Sequence, residues 1–248
     1  MALGKGCRGP SLIPSVVTSV ILDLNSVSVT LDRTPVLRDV TFAIEEGQSV
    51  AIIGPNGCGK TVLLKTILGL LPYAGKIEWR PGTTAGYVPQ KIDADRSVPL
   101  NVRNLLVSKA HVIGKGERDI AEAIGRVGLG ERVLATQIGH LSGGQFQRAL
   151  IAFALLGDPD IVLFDEPTAS MDEPGEEQMY ALLDRLRTEL RITMVVVSHD
   201  LSFVYRHADK ALCLNRSGVC FGAPHGVLTP ELLGELFDAP ALYGHTHS

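Results

Sequence analysis

The stretch Ser49-Val50-Ala51-Ile52-Ile53-Gly54-Pro55-Asn56-Gly57-Cys58-Gly59-Lys60-Thr61 decides the fold. Its first five residues read as a buried strand. The last eight match G-x-x-x-x-G-K-[ST], a loop that joins a strand to a helix, and helical spacing does follow from Val62 to Leu71, ahead of Pro72. Glycines let backbone amides curl around phosphate oxygens without a Cβ clash, and the helix N-terminus adds a partial positive charge. In such a loop Lys60 reaches the β and γ phosphates and the Thr61 hydroxyl binds Mg²⁺. Gly54, Pro55, Asn56, Gly57, Cys58, Gly59, Lys60 and Thr61 are therefore the candidate nucleotide-binding residues. The alternative, a glycine-rich turn that binds nothing, requires neither the strand before nor the helix after.

Downstream, Ile161-Val162-Leu163-Phe164-Asp165-Glu166 sets two acids behind four apolar residues. Both carboxylates then reach the carboxyl end of a buried parallel strand, the edge where ligands sit in open α/β sheets. There Asp165 can hold Mg²⁺, and Glu166 can orient and deprotonate an attacking water. Alone, the pair reads equally well as acids capping the turn into a helix that starts near Glu173. With the phosphate loop upstream, the catalytic reading is the expected one.

Working outward, Leu22 to Ile44 alternates apolar and polar residues around Asp32-Arg33-Thr34-Pro35, which predicts antiparallel strands about a turn. Strand-like pieces lie near Ile77 and over Ala85 to Val88. From Leu100 to Leu156 the pattern is mostly helical, with glycine breaks near 114–116 and 128–130. Met179, Leu182, Leu183, Leu186 and Leu190 form one helical face, and Ile192 to Val197 reads as a strand. Strands alternating with helices predict a parallel sheet, with an inserted helical subdomain over about 91–157.

At 248 residues one domain with subdomains is expected, over 21–248, behind a disordered leader over 1–20. The net charge of −4 gives no electrostatic footprint for nucleic acid, so no nucleic-acid partner is expected, and no basic bias toward an anionic membrane. The early uncharged stretch Gly9 to Leu22 contains Pro10 and Pro14 and falls short of the roughly 20 apolar residues of a spanning helix. Four scattered cysteines suggest neither a disulfide framework nor a zinc cage, and fit a reducing cytoplasm.

Leu141-Ser142-Gly143-Gly144-Gln145 stands just before a helix and upstream of the acidic strand, offering a serine N-cap hydroxyl and bare amides to an anion. Here the sequence resembles the ATP-binding-cassette (ABC) family, and the resemblance runs from about Leu22 to Ser248. It implies an α/β fold of the P-loop NTPase (ABC ATPase) type: a RecA-like parallel-sheet core, an antiparallel β subdomain and an inserted α-helical subdomain. It also implies ATP and Mg²⁺ as ligands. In the family Ser142, Gly143, Gly144 and Gln145 would grip the ATP held by a partner chain, giving a homodimer with two nucleotides sandwiched between subunits. Gln90, in Tyr87-Val88-Pro89-Gln90, resembles the glutamine that senses Mg²⁺ and water and links the site to the membrane subunit. His199, in Ser198-His199-Asp200, resembles the switch histidine near the γ-phosphate; taken alone, a histidine at a strand end is more often structural. Ser170-Met171-Asp172 resembles the dimer-contacting loop, with Met171 where the family more often has leucine. One position departs from the pattern: Leu31 stands where the family usually stacks an aromatic ring on adenine, which implies weaker ATP affinity or blunted base selection.

Branch-level similarities are to zinc and manganese importers. Gly86-Tyr87-Val88-Pro89-Gln90-Lys91 with Val98-Pro99-Leu100-Asn101-Val102 resembles the region after the glutamine loop in those importers, and Leu212-Cys213-Leu214-Asn215, Gly222-Ala223-Pro224 and Tyr243-Gly244-His245-Thr246-His247 resemble the tail of zinc-importer ATPase subunits, which implies zinc as the imported ion. They imply a peripheral subunit on the cytoplasmic face of the inner membrane, multi-span permease partners and, indirectly, an extracytoplasmic metal-binding protein. Manganese or iron as cargo, or a soluble ABC ATPase such as an iron–sulfur assembly factor, are the alternatives. His245 and His247 offer two imidazoles but not a complete tetrahedral site, and a solvated tail is the alternative. Cys213 and Cys220 read as neighbours of a buried strand pair.

Overall fold

The computed structural model describes residues 19–90, 99–169, 171–215 and 218–237. Residues 1–18 of the leader expected over 1–20, the residues from Lys91 to Val98, Ser170, and the tail with His245 and His247 lie outside the described residues, and Val20 of that leader already stands in the first strand. In chain order the elements are β1 (Val20–Leu31), β2 (Thr34–Glu45), β3 (Ser49–Ile53), α1 (Lys60–Ile67), β4 (Ala74–Trp79), β5 (Ala85–Val88), α2 (Val102–Val112), α3 (Glu117–Arg126) and α4 (Gly143–Leu155). Then come β6 (Ile161–Asp165), α5 (Glu173–Leu190), β7 (Thr193–Val197), α6 (Leu201–His207), β8 (Lys210–Leu214), β9 (Val219–Gly222), α7 (Pro224–Val227) and α8 (Pro230–Phe237).

Two sheets result. One is antiparallel, in the order β2-β1-β4; the other runs β5-β6-β7-β3-β8-β9, parallel throughout except for the last pair. The parallel strands are apolar on both faces, as strands covered on both sides must be. Their period of two divides the side chains between two cores. Ala51, Ile53, Val162, Phe164, Met194 and Val196 join a core built with α2, α3, α4 and α5. Val50, Ile52, Leu163, Val195 and Leu212 join a second core with α1 and the antiparallel sheet, through Leu63, Leu64, Leu24 and Phe42. The β3–α1 junction is thereby fixed from both faces of the sheet.

Two boundaries differ from the sequence reading. The β1–β2 turn is only two residues, Asp32 and Arg33, at φ 47° and 65°, the left-handed pair that suits a tight hairpin. Pro35 is already in β2, where an edge strand tolerates a missing N–H. Helix α1 stops at Ile67 and not at Leu71, because Gly69 takes φ 70° and its N–H, with that of Leu70, closes onto the carbonyls of Thr66 and Lys65.

Between β5 and β6 lie α2, α3 and α4 with two short 3₁₀ turns, Glu131–Ala135 and Ile138–His140. Gly114 and Gly128 follow α2 and α3 at φ 68° and 70°. Cys213 is buried in β8, opposite Cys220 of β9. Among the described residues no helix is long and apolar enough to cross a membrane.

Candidate active site

Strand β3 delivers the chain into the loop at Gly54. Its φ is 154°, and a Cβ there would lie 2.2 Å from the Leu214 carbonyl oxygen, so the loop cannot approach β8 this closely with any other residue. Gly59 enters α1 in the left-handed region at φ 105°. Lys60 is 7% exposed, and its ammonium donates to the carbonyls of Gly54 at 2.8 Å and Pro55 at 3.2 Å. The loop therefore wraps around its own cation, a concave arrangement suited to phosphate.

Thr61 and Asp165, more than a hundred residues apart in sequence, meet at the carboxyl edge of the sheet: the Thr61 hydroxyl donates to Asp165 Oδ1 at 3.0 Å. Tyr87, at the end of β5, donates its phenol to Asp165 Oδ2 at 3.4 Å. Burial pushes the Asp165 carboxyl above its ordinary range, and the charge of Glu166 adds to this. Hydrogen bonds from Thr61 and Tyr87 and the charge of Lys65 oppose it. Tyr87 is pushed up to about 12 by burial and by the charge of Asp165, and so stays a donor. A hydroxyl and a carboxylate side by side are the hard oxygen donors that Mg²⁺ prefers, and the residues present fit that ion.

At Glu166 the backbone turns into the left-handed region, φ 47°, a conformation that costs a non-glycine residue on the order of 1 kcal/mol or more. The turn separates adjacent acids by role. Asp165 points to Thr61, whereas Glu166 accepts from Gln90 Nε2 at 2.7 Å and lies 3.9 Å from the Lys60 ammonium. The candidates Lys60, Thr61, Gln90, Asp165 and Glu166 are thus brought together. Their arrangement can hold a phosphate and a divalent cation beside a carboxylate able to take a proton from a water.

None of the second motif's candidates lines the cleft beside the phosphate loop, although Gly143 also borders the small cavity at Gln90 and Glu166. Ser142 caps α4, accepting from the Gln145 N–H at 3.2 Å while Gln145 Oε1 accepts from the Ser142 N–H at 3.1 Å, a reciprocal capping box. Ser142, Gly143 and Gly144 border a cleft of about 400 Å³ with Met171 and Asp172. The cleft beside the phosphate loop, about 810 Å³, is walled instead by Thr34, Val36, Gly57, Cys58 and Asn215 among others. Leu31 packs inward against the second core. His199 is exposed, two residues beyond the carboxyl end of β7.

A buried chain of hydroxyls was invisible in the sequence. Tyr180 of α5 bonds Thr168 at 3.2 Å and Ser198 at 3.0 Å, and Ser198 Oγ accepts from the Asp200 N–H at 3.0 Å. It joins the segment after Glu166 to the segment carrying His199. The available signal was the hydroxyl residue beside each motif, Thr168 and Ser198; nothing local marked Tyr180.

Residues 37–169 match the family model described as ABC transporter. The zinc import ATP-binding protein ZnuC of Chromohalobacter salexigens is 39% identical to this chain over 234 residues, covering 92% of this chain and 96% of that protein. ZnuC of Paracoccus denitrificans is 41% identical over 217 residues, covering 85% and 84%. Among solved structures, an inward-facing ABC transporter assigned to the metal-chelate type superposes with a TM-score of 0.80 at 27% identity, covering 89% of this chain and 90% of that one.

Proposed function

The chain belongs to the ABC transporter family, and from that premise we propose that it is the ATP-hydrolysing subunit of an importer for zinc. The observation that carries the reading is the pairing at one sheet edge of Thr61 with Asp165 and of Gln90 with Glu166, beside the Lys60 loop. The zinc cargo is supported by similarity to ZnuC proteins over most of the chain.

ATP binds through Gly54 to Thr61, its phosphates displacing the Gly54 and Pro55 carbonyls as partners of the Lys60 ammonium. Thr61 and Asp165, with Gln90 nearby, would hold Mg²⁺, which when bound neutralises charge on the phosphate oxygens. Glu166 accepts a proton from the attacking water at its carboxylate, and the Gln90 amide and Lys60 ammonium keep that carboxylate oriented. We assign His199 to the γ-phosphate. Each chain's Ser142, Gly143, Gly144 and Gln145 close on the nucleotide of a second copy, so the working unit is a homodimer. In this reading α2, α3 and α4 move together as a helical subdomain as the dimer closes, and a multi-span permease follows them. The subunit then sits peripherally on the cytoplasmic face of the inner membrane, and an extracytoplasmic metal-binding protein delivers the ion.

The test of the chemistry is Glu166→Gln in purified protein. It should bind ATP as tightly as the parent and lose roughly 10² to 10⁴ of turnover, the usual contribution of a general base. Near-normal hydrolysis would remove Glu166 from this role.

A further inference from the structure

Among the described residues, Gln147 Nε2 is a buried side-chain donor without a hydrogen-bond partner. The residue is 8% exposed and lies on the buried face of α4 beside Ala149, Leu150 and Ile151. A methionine or leucine of similar bulk would bury there without stranding a donor. Gln147 borders a cavity of about 20 Å³ whose walls include Gln90, Gly143, Glu166, Pro167 and Ala169. That volume suits one water molecule, and a water needs two or more polar partners. Gln90 and Glu166, joined at 2.7 Å, border the same cavity, and each side chain carries an acceptor oxygen.

We propose that Gln147 is a positioning residue: its amide donates to a single water in this cavity, and that water donates to the Glu166 carboxylate. Helix α4 then grips the base of its own chain through Gln147, on the helix whose first turn carries the Ser142 capping box. The inference rests on the proposed reading, in which that first turn holds the partner's nucleotide and Glu166 serves its own. On that reading one helix touches both ATP sites of the dimer. Nucleotide seated against Ser142 stiffens α4, and the stiffened helix holds the opposite site's base in line. The function of Gln147 is thus to couple the two sites through a bridging water, since an exposed link would be weakened by competing solvent.

The experiment compares kcat and KM for MgATP, together with melting temperature, in the full chain and in Gln147→Met, Gln147→Asn and Glu166→Gln. Methionine keeps the length and removes the donor. It should lower kcat about tenfold with KM within about twofold, the pattern of a contact that matters mainly in the transition state, and it should not lower the melting temperature. Asparagine keeps a donor and leaves room for a second water, so it should turn over at least about threefold faster than methionine. Wild-type kcat in Gln147→Met overturns the inference. So does an asparagine variant no faster than methionine, or a methionine variant that loses melting temperature along with kcat, which marks a purely structural role. An inactive Glu166→Gln beside a fully active Gln147→Met sinks the inference and leaves the base in place; an active Glu166→Gln sinks the reading beneath it.

Discussion

Asp165 is 1% exposed, and folding moves its carboxylate out of water, next to Glu166. Burial raises its pKa above the ordinary 3.8, so across the window above that value the folded chain binds more protons than the unfolded one. Stability of the nucleotide-free protein therefore falls as pH rises through that window. Asp165→Asn removes the penalised charge. Thermal melts with chelator present, from about pH 4 to about pH 8, should show the variant more stable near neutrality, with the gap closing toward acid. A parent more stable than the variant at neutral pH contradicts the assignment of cause. Gly54, Lys60 and Thr61 were legible in the sequence because strand, loop and helix are contiguous, and their stereochemistry demands those residue types. Tyr87 was not legible as an Asp165 partner, because that contact depends on the pairing of β5 with β6, with Val88 opposite Phe164. Nothing within either segment states it.

At the scale of elements, α5 does more than cover the sheet. Its Tyr180 stacks on Phe203 of α6, centroids 4.2 Å apart, and its hydroxyl bridges Thr168 to Ser198. Tyr180→Phe retains the stack and breaks the bridge, leaving two buried hydroxyls short of a partner. Urea unfolding should show a loss of about 1–2 kcal/mol with an unchanged m value; an unaltered midpoint would mean the bridge contributes nothing. The helical face of α5 was readable from Met179, Leu182, Leu183, Leu186 and Leu190, the first four buried and the last half-buried. Tyr180 beside them was not distinguishable from ordinary core, since periodicity reports burial and not the partner of a hydroxyl. Element ends were misread for a related reason. Pro35 reads locally as part of a turn and Pro72 as a helix stop, but an edge strand accommodates the first, and Gly69 ends α1 before the second is reached.

For the molecule as a whole, the separation of the phosphate-loop cleft from the cleft at Ser142 is the consequential feature. On the proposed reading, a chain that carries both surfaces, facing different clefts, would satisfy each with a second copy. In a Glu166→Gln background, ATP should convert monomer to dimer on a sizing column. Adding Ser142→Arg should abolish that dimer while the monomer still binds ATP through its own phosphate loop, since Ser142 is exposed and outside that loop's cleft. A dimer that survives the arginine would place the second nucleotide contact elsewhere. The two-sheet architecture followed from pattern, because each parallel strand is apolar on both faces. Cargo is of another kind: nothing at the ATP site touches the transported ion, so its identity rests on relatedness to zinc importers.

The most direct measurement is metal accumulation in metal-starved cells carrying wild type or Glu166→Gln, with zinc, manganese and iron counted in parallel. Selective loss of zinc uptake is the predicted result. Unchanged uptake of all three, with the variant shown to be inactive as an ATPase, would contradict the importer reading.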